Sequence, residues 1–191
     1  LTLARAEPES SAALGRVCFD LRRLVHELTA ELVPCALKAG IDLGMDDSVA
    51  DDDVALPVLG QPLLVREALI NLIDNAIRYA GRGAEVTVRC LGPSHGEVVV
   101  EVDDSGPGIA PAMAQQVFER FFRGTTEGSG CGLGLAIVKE IVERHQGSVT
   151  LTALRPHGVR MQIRLPLAHM PLTSPSPAAP ATSVGSGATE A

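Results

Sequence analysis

Apolar residues within 20–38 recur at Leu21, Leu24, Val25, Leu28 and Leu32, the three-and-four spacing that lines one side of a helix. Asp20 stands where an N-cap carboxylate would accept free backbone N–H groups, and Gly40 where a helix would stop. A stronger helical pattern covers 61–79, with Pro62 in its first turn, where a missing N–H costs no internal bond. A third covers 132–145. Between the helices the sequence alternates or becomes β-branched, which predicts strands at 41–45, 54–59, 84–91, 97–102, 148–153 and 159–165. Gly92-Pro93-Ser94-His95-Gly96 predicts a hairpin loop. Three long helices against about five strands predict a two-layer α/β sandwich of the α+β kind, a mixed sheet covered by the helices.

The ends leave this pattern. Residues 171–191 are almost wholly Pro, Ser, Ala, Thr and Gly, a composition that buries too little apolar surface to offset chain entropy, so disorder is expected there. Residues 1–7 read as the end of a helix and 8–15 as a linker, which would make the chain a fragment. With 191 residues and 46% hydrophobic content, one domain with a sizeable core is expected. A net charge of -7, no Trp and a single Tyr argue against nucleic acid, which needs cationic faces and stacking platforms. Cys18, Cys35, Cys90 and Cys131 lie far apart with no CxxC, as reduced thiols of a cytosolic domain would. No apolar run approaches the roughly 20 residues needed to span a bilayer, and no signal-peptide pattern opens the chain.

On the 61–79 helix, a rotation of about 100° per residue gathers Glu67, Asn71, Asp74, Asn75 and Arg78 on one side. Val65, Ala68, Leu69, Leu72, Ile73 and Ala76 fill the other. A solvated face would look similar. Two Asn four residues apart nevertheless lower helix propensity without structural return. Their carbonyl oxygens suit Mg²⁺, and their amide hydrogens suit phosphate.

Two glycine-rich turns follow. Asp103-Asp104-Ser105-Gly106-Pro107-Gly108-Ile109 ends a predicted strand with a carboxylate that could accept from an exocyclic amine and glycines that admit a flat ligand, although a plain turn would use the same residues. Gly128-Ser129-Gly130-Cys131-Gly132-Leu133-Gly134-Leu135 runs into a helix, where free N–H groups and the helix dipole favour anions. It lacks the Gly-Lys-Ser/Thr ending of a Walker loop, and Leu133 and Leu135 exclude the dinucleotide GxGxxG spacing. Between the turns, Phe118, Phe121 and Phe122 stand with Arg120 and Arg123 before a polar run, a composition that suits a closing lid with phosphate-neutralising cations. Phe118 is also expected in the core.

Taken in order, these segments resemble the N, G1, F and G2 boxes of sensor histidine kinases, members of the GHKL ATP-binding family with gyrase and MutL. Asn71-Leu72-Ile73-Asp74-Asn75-Ala76-Ile77-Arg78-Tyr79 is similar to the N box, and Asp104-Ser105-Gly106-Pro107-Gly108 to G1. Phe118-Glu119-Arg120-Phe121-Phe122-Arg123 is similar to the F box, and Gly130-Cys131-Gly132-Leu133-Gly134-Leu135-Ala136-Ile137-Val138 to G2. The resemblance implies the GHKL fold with a flexible ATP lid, and ATP and Mg²⁺ as ligands. It implies that Asn75 holds the metal, that Asn71 and Arg78 approach the phosphates, and that Tyr79 packs near the nucleotide. Asp104 would bind the adenine amine, with Gly106, Gly108, Ile109 and Phe121 around the base. Arg120 would reach the terminal phosphate, and Gly130, Gly132, Leu133, Gly134 and Leu135 would wrap the phosphates. The wider pattern, with Leu1-Thr2-Leu3-Ala4-Arg5-Ala6-Glu7 upstream, is similar to membrane-bound sensors of the tricarboxylate and quorum-sensing type.

The chain then divides into the end of a dimerisation helix and linker at 1–16, a catalytic domain at 17–168 and a tail at 169–191. Its expected partners are its own dimerisation domain and, through it, a response regulator. The parent would be a homodimer in the inner membrane, and this cytoplasmic piece a monomer. Where family members often carry Gly-Gly-Thr, this chain has His157-Gly158-Val159, so one adenine contact is lost or replaced. Water-activating relatives place Glu four residues before the metal Asn; here Asn71 stands there, and an amide cannot take water's proton. Transfer to a protein histidine is therefore expected over hydrolysis. His26-Glu27-Leu28-Thr29 lacks the Arg and Pro of a phosphoacceptor motif and lies too near the N box, so His26 is expected to be an ordinary helix residue. The other expectation to weigh is a nucleotide-binding regulatory module without kinase activity.

Overall fold

The computed structural model describes residues 15–47, 54–114, 116–122 and 132–168. The first strand, β1 (Val17–Asp20), runs into α1 (Leu21–Ala39). Asp20 caps α1 by accepting from Arg22 N–H at 3.0 Å, and the same Oδ1 accepts from Leu56 N–H at 3.0 Å, tying the helix start to the later chain. Gly40 ends α1 at φ 76°, a left-handed cap whose N–H meets Ala36 and Leu37 carbonyls. There follow β2 (Asp42–Met45), β3 (Pro57–Gly60), α2 (Pro62–Tyr79), β4 (Glu85–Ser94) and β5 (Glu97–Asp104). Two single-turn 3-10 segments, Pro111–Met113 and Gln116–Phe118, precede α3 (Gly134–Arg144), β6 (Ser148–Ala153) and β7 (Val159–Pro166).

Five strands form a sheet in the order β2-β4-β5-β7-β6, parallel between β2 and β4 and antiparallel elsewhere. The expected mixed sheet with three helices is thus present. Separately, β1 and β3 make a two-stranded antiparallel pair; four residues without a flanking turn signal left β1 unread in the sequence. The predicted loop over 92–96 is also tighter than expected. Strand β4 continues to Ser94, and only His95 (φ 54°) and Gly96 (φ 79°) turn the chain, both left-handed as a two-residue hairpin turn requires. Pro93 fits because the pairing register shifts between Leu91 and Ser94.

One face of the sheet is apolar and buried: Val86 and Val88 of β4, Val98, Val100 and Val102 of β5, and Met161, Ile163 and Leu165 of β7. Against it lie Val65, Ala68, Leu69, Leu72, Ile73 and Ala76, the apolar side predicted for α2, with Val138, Ile141 and Val142 of α3. Burying each such Val, Leu or Ile contributes roughly 1.5–3 kcal/mol, enough to fix which side of α2 faces outward. The opposite sheet face is polar, carrying Arg89, Glu101, Asp103, Arg160, Gln162 and Arg164.

Helix α3 is anchored to the start of α2 by buried His145. Its Nδ1 lies 2.7 Å from the Ile141 carbonyl, and its Nε2 accepts from Gln61 N–H at 3.0 Å. Gly60 leaves space for the ring, since a Cβ there would overlap it.

Candidate functional site

With its apolar side in the core, α2 presents Asn71, Asp74 and Asn75 half-buried and Glu67, Arg78 and Tyr79 exposed. Asn71 donates from Nδ2 to the Glu67 carbonyl at 2.9 Å, which turns its Oδ1 outward. A Cβ at Gly134 would sit 3.2 Å from that oxygen. The first residue of α3 therefore rests on the Asn71 amide, and the two helices meet where the glycine-rich turn ends. Among the described residues no side chain caps α3, whose first-turn N–H groups stand where the glycine-rich turn ends. Leu133 is the N-cap residue, and Leu135 is half-buried against the core. Along the same side of α2, Asp74 pairs with Arg78 at 2.8 Å. The Asn75 amide makes no hydrogen bond among the described residues.

At the far end of α2, buried Gly106 packs on the helix cap: a Cβ there would lie 2.6 Å from Ala80 Cα and 2.9 Å from its oxygen. This contact carries the Asp104–Gly108 turn to the same end of the sheet. Asp104 alternates with Val98, Val100 and Val102 and so shares their helix-side face. Its Oδ1 accepts from Gly106 N–H at 2.9 Å, and the backbone of Val159, its cross-strand partner on β7, lies beside it. Burial raises the Asp104 carboxyl above the ordinary aspartate value, against the backbone of Gly106 and Val159; the nearby Asp103 charge pushes the same way as burial. Gly158 (φ 104°) is required beside it, because a Cβ would overlap the Asp104 carbonyl oxygen. Gly108 (φ 83°) faces Gly158, with a Cβ falling 3.6 Å from its N and O, and Ile109 follows half-buried.

Phe118 joins the core as expected, whereas Phe121 is 73% exposed with φ 66°. Phe121 N–H donates to the Gly132 carbonyl at 2.8 Å, and Gly132 (φ 66°) lies so close to Phe121 and Phe122 that any side chain would collide with their backbone. This contact joins the two ends of 123–131. Gly130, together with Arg123, Gly128 and Cys131, lies outside the described residues. Arg120 is not brought to the Asn71–Gly134 contact: its Nη2 pairs with Glu140 at 3.0 Å, both side chains well exposed, about 9 Å along α3 from Gly134.

Three participants escaped the sequence reading. Ala80 is an unremarkable residue whose only signal is its place after the helix. The departure from Gly-Gly-Thr was visible at Val159, but not that Gly158 makes the space for Asp104. The third is Asp103, whose partners on β4 and β7 have no local signature.

Residues 60–169 match the family described as histidine kinase-, DNA gyrase B-, and HSP90-like ATPase. Sensor histidine kinase RppB of Synechocystis is 36% identical over 177 residues, covering 90% of this chain and 37% of RppB. The chain spans about a third of the length of the curated relatives it matches first, between 32% and 37%. Among solved structures, the catalytic domain of histidine kinase ThkA superposes with TM-score 0.69 at 29% identity, over 80% of this chain and 95% of that domain. ThkA is also known in complex with the response regulator protein TrrA. Full-length ShkA in complex with AMPPNP superposes with TM-score 0.69 at 26% identity, over 82% of this chain and 32% of ShkA.

Proposed function

This chain belongs to the family of histidine kinase-, DNA gyrase B- and HSP90-like ATPases, and we propose that it is the ATP-binding catalytic domain of a two-component sensor histidine kinase. It delivers the γ-phosphoryl group of ATP to a histidine on a separate dimerisation domain, from which a response regulator receives it. The observation that carries this reading is the meeting of Gly134 with Asn71, at one end of a surface whose other end is Asp104 beside Gly106 and Gly158. One end offers amide groups and helix N–H donors to phosphates, and the other a half-buried carboxylate to a base amine.

In this reading Asp104 accepts from the adenine amine, Gly106, Gly108 and Ile109 line the base, and Tyr79 packs alongside. Val159 offers no hydroxyl to the base. Asn71 and Arg78 approach the phosphates, and the backbone of Gly130, Gly132, Leu133, Gly134 and Leu135 wraps them. Phe121 and Arg120 close over the site, which requires Arg120 to leave Glu140. The donor chemistry fits Mg²⁺: Asn75 Oδ1 is a hard, neutral oxygen, and among the described residues no group of three or more His, Cys, Asp or Glu offers an all-protein cage. When bound, the ion neutralises phosphate charge. An amide is too weakly basic to take water's proton, so Asn71 is no general base, hydrolysis is slow and a protein nucleophile is needed.

In the same reading the domain lies on the cytoplasmic side of an inner-membrane homodimer and is itself a monomer. No helix of the described residues is long and apolar enough to cross a membrane. The test is to mix the protein with labelled ATP, Mg²⁺ and a separately made dimerisation domain of its parent. Label on that domain's histidine is expected; tight ATP binding with no transfer supports instead a regulatory module.

A further inference from the structure

Asp103 and Asp104 are consecutive carboxylates at the end of β5, and strand alternation sends them to opposite faces of the sheet. Asp104 goes to the nucleotide side. Asp103, whose side chain is 14% exposed, goes to the polar face, where two arginines from the flanking strands converge on it. Arg160 of β7 binds it with two parallel bonds, Nε to Oδ1 at 2.7 Å and Nη2 to Oδ2 at 2.7 Å. Arg89 of β4 adds Nη1 to Oδ2 at 2.6 Å, while its Nε reaches Asp46 at 2.8 Å. Arg160 Nη1 also lies 3.2 Å from Glu101, a carboxylate buried on the same face.

The register explains why this matters to the other face. Asp103 pairs with Thr87 on β4 and Arg160 on β7, one residue before Asp104 pairs with Val86 and Val159. The arginines therefore pin the rung of β5 next to its last to both neighbours, just before the strand turns away at Ser105 and Gly106. They also neutralise the nearest negative charge to Asp104.

We propose that Arg160 and Arg89 are positioning residues for the nucleotide site: by holding Asp103 and balancing its charge they fix Asp104 in its accepting form. The proposal rests on the reading that Asp104 accepts from the adenine amine. Protonating Asp104 would replace an acceptor lone pair with a donor and weaken that contact. Burial already pushes the Asp104 carboxyl up, and the Asp103 charge adds to it. Burial pushes Asp103 up as well, but Arg160 and Arg89 outweigh it and hold Asp103 below the ordinary value, so its charge is present throughout and must be balanced. Other charged or titratable groups on the surrounding elements are Glu85 at the start of β4, His157 in the turn before β7, and Arg78 and Tyr79 at the end of α2. They are the same in every variant compared, so whatever they contribute is common to all profiles.

The experiment is a calorimetric titration of the protein with Mg-ADP from about pH 4 to about pH 8, for the unaltered chain, Arg160→Gln, Asp103→Asn, the double variant and Asp104→Asn. In Arg160→Gln the acid limb of binding should move up by about half to one pH unit, a loss of roughly three- to tenfold at the acid end and little at the alkaline end. Asp103→Asn in the same background should move the limb back, because the unbalanced charge is gone. Phosphate titration on ADP cancels against the unaltered chain. A limb that stays put in Arg160→Gln, or one that Asp103→Asn fails to restore, overturns the proposal; loss of affinity equal at every pH would mark the arginines as structural only. If Arg160→Gln does not fold, Arg160→Lys, which keeps the charge but not the parallel pair, must leave the limb unmoved, and a shift there counts against the charge argument. Asp104→Asn separates the two readings. Unchanged affinity in that variant overturns the adenine assignment itself, whereas lost affinity there with an unmoved limb in Arg160→Gln overturns only the arginine clamp.

Discussion

Gly106→Ala is the sharpest probe of how the base end of the site is built. The added Cβ would lie 2.6 Å from Ala80 Cα, 2.9 Å from Ala80 O and 2.9 Å from Asp104 Oδ1, where ordinary contact begins at 3.4 Å. Two of the three obstacles are backbone of a helix cap, so the turn must retreat by close to 1 Å. Overpacking of that size costs about 1–3 kcal/mol, and moving away from Asp104 also weakens the Gly106 N–H bond, a further ~1 kcal/mol. The expected total of about 2–4 kcal/mol corresponds to a fall in melting temperature of roughly 5–12 °C for a domain of this size. Nucleotide affinity should fall by more than about tenfold, because Asp104 loses the donor that orients it. Gly92→Ala is the control: nothing lies within 4 Å of a Cβ there, so melting and affinity should stay as they are. Thermal melts and Mg-ADP titrations of the two variants decide it. Equal melting temperature and affinity in Gly106→Ala would refute the close packing of the turn on Ala80.

Asp104→Asn should separate stability from binding. A carboxyl raised by burial favours its protonated form in the fold, so its stabilising contribution is full below the unfolded aspartate value and is lost as pH rises through the folded one. At neutral pH the amide variant should therefore melt no lower than the unaltered protein, while binding Mg-ADP about tenfold or more weakly; melts between acidic and neutral pH check the sign. Asn75→Ala should leave the melt in the absence of nucleotide nearly unchanged, because the side chain is half-buried without a hydrogen bond among the described residues, yet abolish the gain in nucleotide affinity on adding Mg²⁺. Thiol labelling at mildly alkaline pH, read by peptide mass, should modify exposed Cys18 and Cys35 in the native protein and spare Cys90, whose thiol burial pushes up to about 12. Modification of native Cys90 at the rate of the other two would contradict its place under the sheet.

The periodic part of the fold was legible because burial acts through period. The apolar side of α2 read from spacing is the side that lies in the core, and the β-branched run 97–102 lies in β5. Caps were legible for the same local reason: Asp20 and Gly40 do what their side chains, or lack of one, allow. Contacts between distant segments were not. Nothing near Arg160 in sequence announces that Asp103 lies beside it, since strand register across 57 residues sets that pair. Val159 could be read as a missing hydroxyl in a motif, but not Gly158 as the gap that admits Asp104. Arg120 has the right chemistry for phosphate, yet Glu140, twenty residues on, holds it along α3.

The central claim is that four separate segments make one nucleotide site, and an amide chemical-shift titration of the labelled protein with Mg-ADP tests it most directly. Shifts are predicted to concentrate at Asn71, Asn75, Asp104 to Ile109, Gly132 to Leu135 and Gly158, while the exposed ends of β6 stay still. Shifts confined to the polar face around Gln162 and Arg164, or no shifts at saturating nucleotide, would contradict it.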